Sequence, residues 1–203
     1  MGGTWPRHAK IAFVGSHGIR KSTAVLAFAA TVARGGASVE VAREVIRDNP
    51  LGMNEGSTAD AQLWVLMSQV RTELELAAKA DVLVTDRAVM DNLAYAIRAS
   101  GEPDPYDIWR FAQRWAQTYD LVVRLTPDIA LVADGVRSTN DAFRDEIEAI
   151  LDDILPRLVP PERLVVMPAS QVTRRFDWWP LASRLATSVG GQLVIIESEV
   201  SPA

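Results

Sequence analysis

Short apolar runs closed by a glycine or an acid alternate along the chain with longer stretches whose apolar residues recur every three or four positions. The short runs predict buried strands at Lys10–Gly15, Ser38–Arg43, Asp81–Asp86, Leu121–Leu125, Arg163–Met167 and Gln192–Ile196. The longer stretches predict helices at Lys21–Arg34, Ala61–Ala80, Val89–Arg98, Pro103–Thr118, Asn140–Leu155 and Phe176–Val189. In the second helix Leu63, Leu66, Met67, Val70, Leu74 and Ala77 share one apolar stripe, which is expected to face the core. Gly35-Gly36, Asn49–Gly52 and Pro160-Pro161 punctuate the chain, Thr139 or Asn140 caps the fifth helix, and Ser198–Ala203 reads as a loose tail. Strand and helix alternate from start to end. Stacked βαβ units follow, giving an α/β protein of three α/β/α layers around a mostly parallel sheet.

Composition narrows the picture. The 203 residues suit a single domain, 1–203, with room for a small lid. There are no cysteines and two histidines, so disulfides, thiol nucleophiles, thiolate metal sites and multi-histidine zinc sites are excluded. A net charge of −5 argues against a protein that coats nucleic acid. No signal-peptide core and no membrane-length apolar run is read, so a cytoplasmic location is expected.

The candidate chemistry begins where the first strand ends. Gly15, Lys21 and Ser22 match G-x-x-x-x-G-K-[ST] between a strand and a helix. Loop amides and a helix N-terminus offer N–H donors and a positive dipole end to phosphate oxygens. The nucleotide contacts are therefore expected from Gly15, Ser16, His17, Gly18, Ile19, Arg20, Lys21, Ser22 and Thr23. Lys21 is expected to meet the β- and γ-phosphates and Ser22 to hold Mg²⁺. The motif's second glycine is Arg20. An arginine there either strains the backbone or adds a cation beside the phosphates, and both readings stand. Asp86 ends an apolar strand, the place where open α/β sheets bind ligands. It either orders Mg²⁺, accepts a hydroxyl proton or caps the next helix. Trp64, Gln69 and Arg71 lie on the helix between the second and third strands and are candidates to contact a ring or base.

Ile11–Gly18 with Lys21–Thr23, Ala42–Val45, Asp86-Arg87 with Asp91–Tyr95, and Asp134–Thr139 with Phe143-Arg144 carry a resemblance spanning about 10–170. The chain resembles the small P-loop kinases of the nucleoside and nucleotide kinase superfamily, and within it the AAA-type ATP-binding group related to ribosylnicotinamide kinases. The resemblance implies a P-loop NTPase fold with a small helical lid at roughly 135–157. It implies ATP with Mg²⁺, and transfer of the γ-phosphoryl group to a nucleoside, nucleotide or similar small hydroxyl or phosphate acceptor. By position it implies catalytic roles for Lys21, Glu44, Asp86, Arg87, Arg137 and Arg144, with Ser22 and Asp86 toward the metal. Glu44 and Asp86 are both candidates for general base. Asp141, Asp145, Glu146 and Glu148 offer Arg137 and Arg144 an ordinary alternative as surface ion pairs. No guanine-reading N-K-x-D occurs, so ATP is the default donor. A non-kinase NTPase, a nucleotide-binding protein impaired by Arg20 and a kinase of a modified DNA base are the alternatives. The expected partners are a nucleotide and a small-molecule acceptor, with no membrane and no nucleic acid; a homodimer is left open.

Overall fold

The computed structural model describes residues 8–52, 54–132 and 139–189. β1 (Ala9–Val14), β2 (Val39–Ala42), β3 (Val82–Asp86), β4 (Leu121–Thr126) and β5 (Leu164–Pro168) pair in parallel in the order β2-β3-β1-β4-β5. The last expected strand, Gln192–Ile196, lies outside the described residues. Every residue of β1 is buried, as a central parallel strand covered on both faces requires. Its alternation sorts the core. Ile11 and Phe13 meet α1 (Lys21–Arg34) and α6 (Trp179–Ser188), where Phe28 and Trp178 pack their rings 5.8 and 5.9 Å from Phe13. Ala12 and Val14 face the opposite layer, built from α2 (Ala59–Ala77), α3 (Val89–Ser100), α4 (Trp109–Ala116) and α5 (Asp141–Leu158). Register places Phe13 beside Asp86, so the ends of β1 and β3 open side by side.

Three expectations are corrected. The buried face of α2 is Ala61, Gln62, Val65, Leu66, Gln69 and Glu73, while Met67 and Leu74 of the expected stripe are exposed. The polar members are inside because each is paired. Glu73 meets Lys10 Nζ at 2.5 Å and accepts from the Tyr119 hydroxyl and Trp115 Nε1, both at 2.8 Å. Hydropathy counts alone cannot see such partners. The helix expected over Pro103–Thr118 is broken. Tyr106 and Asp107 take left-handed φ values of 58° and 53° in a 3-10 turn, and α4 starts afresh with Trp109 N bonded to Asp104 Oδ1 at 2.7 Å. The described part of the stretch expected as a lid packs one face on the core. From Asp141 onward it is α5, capped by Asn140 Oδ1, with Phe143, Ile147, Leu151, Ile154, Leu155 and Leu158 buried against α3 and α4.

Arg20 stands at the N-cap of α1 in left-handed backbone, φ 61° and ψ 24°. The left-handed region crowds Cβ against the next carbonyl, so a non-glycine residue is strained there. The Arg20 guanidinium donates to the carbonyl of Val172 at 3.3 Å, which ties the start of α1 to the chain after β5.

Two stability measurements check this picture by denaturant unfolding. Ile147→Ala should cost about 2–5 kcal/mol, the range for a buried isoleucine, whereas a residue on a free lid would cost almost nothing. Arg20→Gly should gain about 0.5–1 kcal/mol, the relief of left-handed strain less the freer unfolded chain and the lost hydrogen bond. A loss would show that the Arg20–Val172 bond outweighs the strain.

Candidate functional site

The chain leaves β1 through Gly15, whose φ is 144°. A Cβ on Gly15 would sit 2.7 Å from the Leu125 carbonyl oxygen, so only glycine fits between the two strand ends. The loop then runs into α1, whose N-terminus opens at the same end of the sheet. Lys21 is buried inside this loop, with Nζ donating to the carbonyls of Gly15, at 2.9 Å, and Ser16. Burial lowers the Lys21 ammonium to a pKa of about 8, and the Arg87 cation pushes it the same way. Ser22, one residue on, donates its hydroxyl to Asp86 Oδ2 at 2.5 Å. The serine after the lysine and the acid at the end of β3 therefore meet.

Glu44 follows β2 and pairs with Arg87 Nε. Arg87 has a positive φ of 83°, its amide donates to Phe13 O at 3.1 Å, and its guanidinium lies 4.9 Å from the Tyr95 ring centroid. Glu44, Asp86, Arg87, Lys21 and Ser22 thus gather at the C-terminal ends of β1, β2 and β3. His17 projects from the loop, its ring stacked 5.3 Å from Phe143 and its Nδ1 3.4 Å from the Tyr95 hydroxyl. Burial, with the nearby cations of Arg87, Lys21 and Arg144, lowers His17 to a pKa of about 4, so its imidazole is neutral at pH 7. Arg144 stands on the first turn of α5, donates to the Ile129 carbonyl at 3.1 Å and pairs with Asp141 at 2.8 Å. Arg137 lies outside the described residues. Gln69 is fully engaged inside, bonded to Glu73 and the Arg87 carbonyl, and Arg71 points outward beside Glu75. Trp64 lies half-buried on the outer side of α2, in a shallow cleft with Leu63 and Met67. None of these three is directed at the loop.

Sequence reasoning missed the groups that hold the loop from behind. Asp91 Oδ1 accepts from Gly15 N at 2.8 Å, and its Oδ2 from Ala88 N at 2.8 Å. An acid in the first turn of a helix was the available signal. Glu148 on α5 accepts from Ser16 N at 3.0 Å and pairs with Arg124 of β4, contacts across 132 and 24 residues that no local pattern marks. A second missed feature is a cleft of about 630 Å³ beside α1, lined by Arg20, Thr23, Arg34, Val172, Phe176 and Trp179 among others.

Known proteins bear on this arrangement. No curated protein sequence matches the chain. Solved structures match at low identity. NadR in complex with NR superposes with a TM-score of 0.71 at 14% identity, covering 97% of this chain and 54% of that one. NadR in complex with NAD and AMP-PNP gives 0.63 at 13%, covering 97% and 52%. The present chain therefore spans about half of NadR's length. Thymidylate kinase from Candida albicans gives 0.59 at 13%, covering 95% and 96%. At these identities the likeness is one of fold, and that fold is the α/β fold of P-loop kinases. The AAA domain family matches residues 10–175, which takes in the phosphate loop, Glu44, Asp86-Arg87 and all of α5. The chain belongs to this AAA domain family and has a P-loop kinase-like fold.

Proposed function

We propose that the protein is an ATP-dependent phosphotransferase that moves the γ-phosphoryl group to a hydroxyl or phosphate of a nucleoside, nucleotide or similar small acceptor. One observation carries the reading: a phosphate loop, a serine–aspartate contact and a glutamate–arginine pair converge on one strand-end crevice. The fold shared with thymidylate kinase and with a NadR structure holding AMP-PNP supports it.

The polar groups fit the ligands this reading needs. Ser16 Oγ, His17 Nε2 and Asp86 Oδ1 are buried with no hydrogen-bond partner among the described residues, unlike the great majority of buried polar atoms. Donors on the loop suit phosphate oxygens. The hydroxyl of Ser22 and the free Oδ1 of Asp86 suit Mg²⁺, a hard cation that takes oxygen ligands. When bound there, Mg²⁺ would supply charge neutralisation as negative charge develops in the transfer.

The chain's own residues supply the rest. Lys21 and the loop amides hold the β- and γ-phosphates in line for attack, and positioning with charge stabilisation is most of what phosphoryl transfer asks of a protein. Asp86 is turned to Ser22, and Glu44, oriented by Arg87 at the edge of the neighbouring cleft, accepts a hydrogen bond from the acceptor hydroxyl. A cleft of about 370 Å³ lined by Ser22, Val41, Arg43, Glu44 and Asp86 opens at that edge for the acceptor. The larger cleft by Thr23, Phe176 and Trp179 takes the nucleotide base. Arg144 and Arg137 serve the transferring phosphoryl group.

The deciding experiment is titration with MgATP, followed by ADP release against a panel of nucleosides and monophosphates. Acceptor-dependent ADP release supports the proposal. Hydrolysis that no acceptor stimulates makes the protein an NTPase, and binding without turnover makes it a nucleotide-binding protein. Lys21→Ala should lower turnover by at least about 100-fold, as loss of a preorganised charge contact does, with an unchanged circular dichroism spectrum. The pH dependence has a fixed sign. Phosphate anions favour the ammonium form of Lys21, so nucleotide binding raises its pKa from about 8. Titrations near pH 8 in buffers of different ionisation enthalpy should therefore show proton uptake, and affinity should fall as pH rises through about 8. Proton release at that pH would contradict the assignment of Lys21.

A further inference from the structure

The phosphate loop is anchored on α5 at two successive residues. The Ser16 amide donates to Glu148 Oε1 at 3.0 Å, and the His17 ring stacks on Phe143 one helical stretch earlier. Glu148 is itself fixed by Arg124 of β4. Arg124 Nη2 meets Glu148 Oε2 at 2.5 Å, Nη1 reaches Oε1 at 3.3 Å, and Nη1 also donates to the Leu125 carbonyl at 2.9 Å. Asp152, a turn further along α5, takes a second contact from Nη2 at 3.2 Å. Arg124 is 2% exposed and Glu148 9%. The guanidinium lies directly behind Gly15, where a Cβ would come within 3.1 Å of Nη1.

Buried ion pairs are weak evidence for stability, because desolvation offsets most of their attraction and apolar replacements of similar volume do as well. A carboxylate placed against a loop that receives phosphate is also electrostatically unfavourable unless a cation neutralises it. Both features make sense if the pair serves the loop rather than the core. We propose that Arg124 and Glu148 are positioning residues for the nucleotide site: the carboxylate fixes the Ser16 amide and with it the entry of the phosphate loop, and the guanidinium neutralises that carboxylate so that it does not repel phosphate. The loop is then formed before the nucleotide arrives, and binding carries no cost of ordering it. The inference rests on the nucleotide-binding reading above and adds residues that touch neither phosphate nor acceptor.

The test is Arg124→Leu combined with Glu148→Met, which replaces the pair by apolar side chains of similar size. Thermal unfolding and MgADP calorimetry are measured on the same samples. The expected result is a cooperative unfolding transition near that of the wild type with MgADP affinity weakened about tenfold or more. The single variant Arg124→Leu, which leaves Glu148 charged beside the phosphates, should bind more weakly still than the pair. A folded double variant that binds MgADP within about twofold of the wild type overturns the proposal and leaves the nucleotide-binding reading intact. A wild-type protein that binds no MgADP defeats that reading, and the proposal falls with it. If the double variant does not fold, amide hydrogen exchange of the nucleotide-free wild type decides. Protection of Ser16 N–H comparable to that of the β1 amides, lost in Glu148→Met, which removes the acceptor, supports the role, and exchange at the rate of an unprotected amide overturns it.

Discussion

A loop that receives phosphate must point several backbone amides at one spot without letting them bond to each other. Around Gly15 the backbone path is fixed from several sides. The strand end leaves no room for a side chain, since a Cβ would press on the Leu125 carbonyl. The amides of Gly15 and Ser16 are taken by the carboxylates of Asp91 and Glu148, so the entry to the loop is pinned from α3 and α5. Lys21 is folded inside the loop, its ammonium bonded to the carbonyls of Gly15 and Ser16. The carbonyls of Gly15 and Ser16 thus face inward to lysine while their amides are held from behind.

The parallel sheet converts this local arrangement into a site. With β1 between β3 and β4, the residues following all three strands lie next to the loop. β3 delivers Asp86 to Ser22, β4 carries Arg124 to Glu148, and β2, one strand further out, brings Glu44 to Arg87. The cost is a concentration of charge in a buried place, and its signature is seen in Lys21 and His17. Desolvation and neighbouring cations push both toward their neutral forms, to pKa values of about 8 and about 4. A neutral His17 between Phe143 and the Tyr95 hydroxyl is a rigid part of the loop wall rather than another cation.

Arg20 shows how this chain departs from the motif without abandoning its geometry. The backbone keeps the left-handed turn that glycine makes easily, and the arginine side chain reaches away to the Val172 carbonyl at the rim of the larger cleft. The motif survives as a shape even where its residue changes. α5 carries a comparable lesson: the resemblance implied a lid there, but its buried side is Phe143, Ile147, Leu151 and Ile154, seated on α3 and α4. The charged residues that define its outward appearance say little about where it sits.

The sequence by itself determined the alternation of strands and helices, the parallel three-layer architecture and the loop from Gly15 to Thr23, because these depend on periodicity and on spacing between near neighbours. It also marked Asp86, an acid at the end of an apolar strand, the edge where open α/β sheets bind ligands, while Glu44 was marked only through the resemblance to P-loop kinases. Only the tertiary structure decided that α2 buries Gln69 and Glu73 rather than Met67 and Leu74. Their partners, Lys10, Tyr119 and Trp115, come from elements far away in the chain, and pairing outweighs hydropathy once a polar group is inside. The same holds for the supports of the phosphate loop. Glu148 meets Ser16 across 132 residues and Arg124 across 24, and contacts of that span exist only after the sheet has set β4 beside β1.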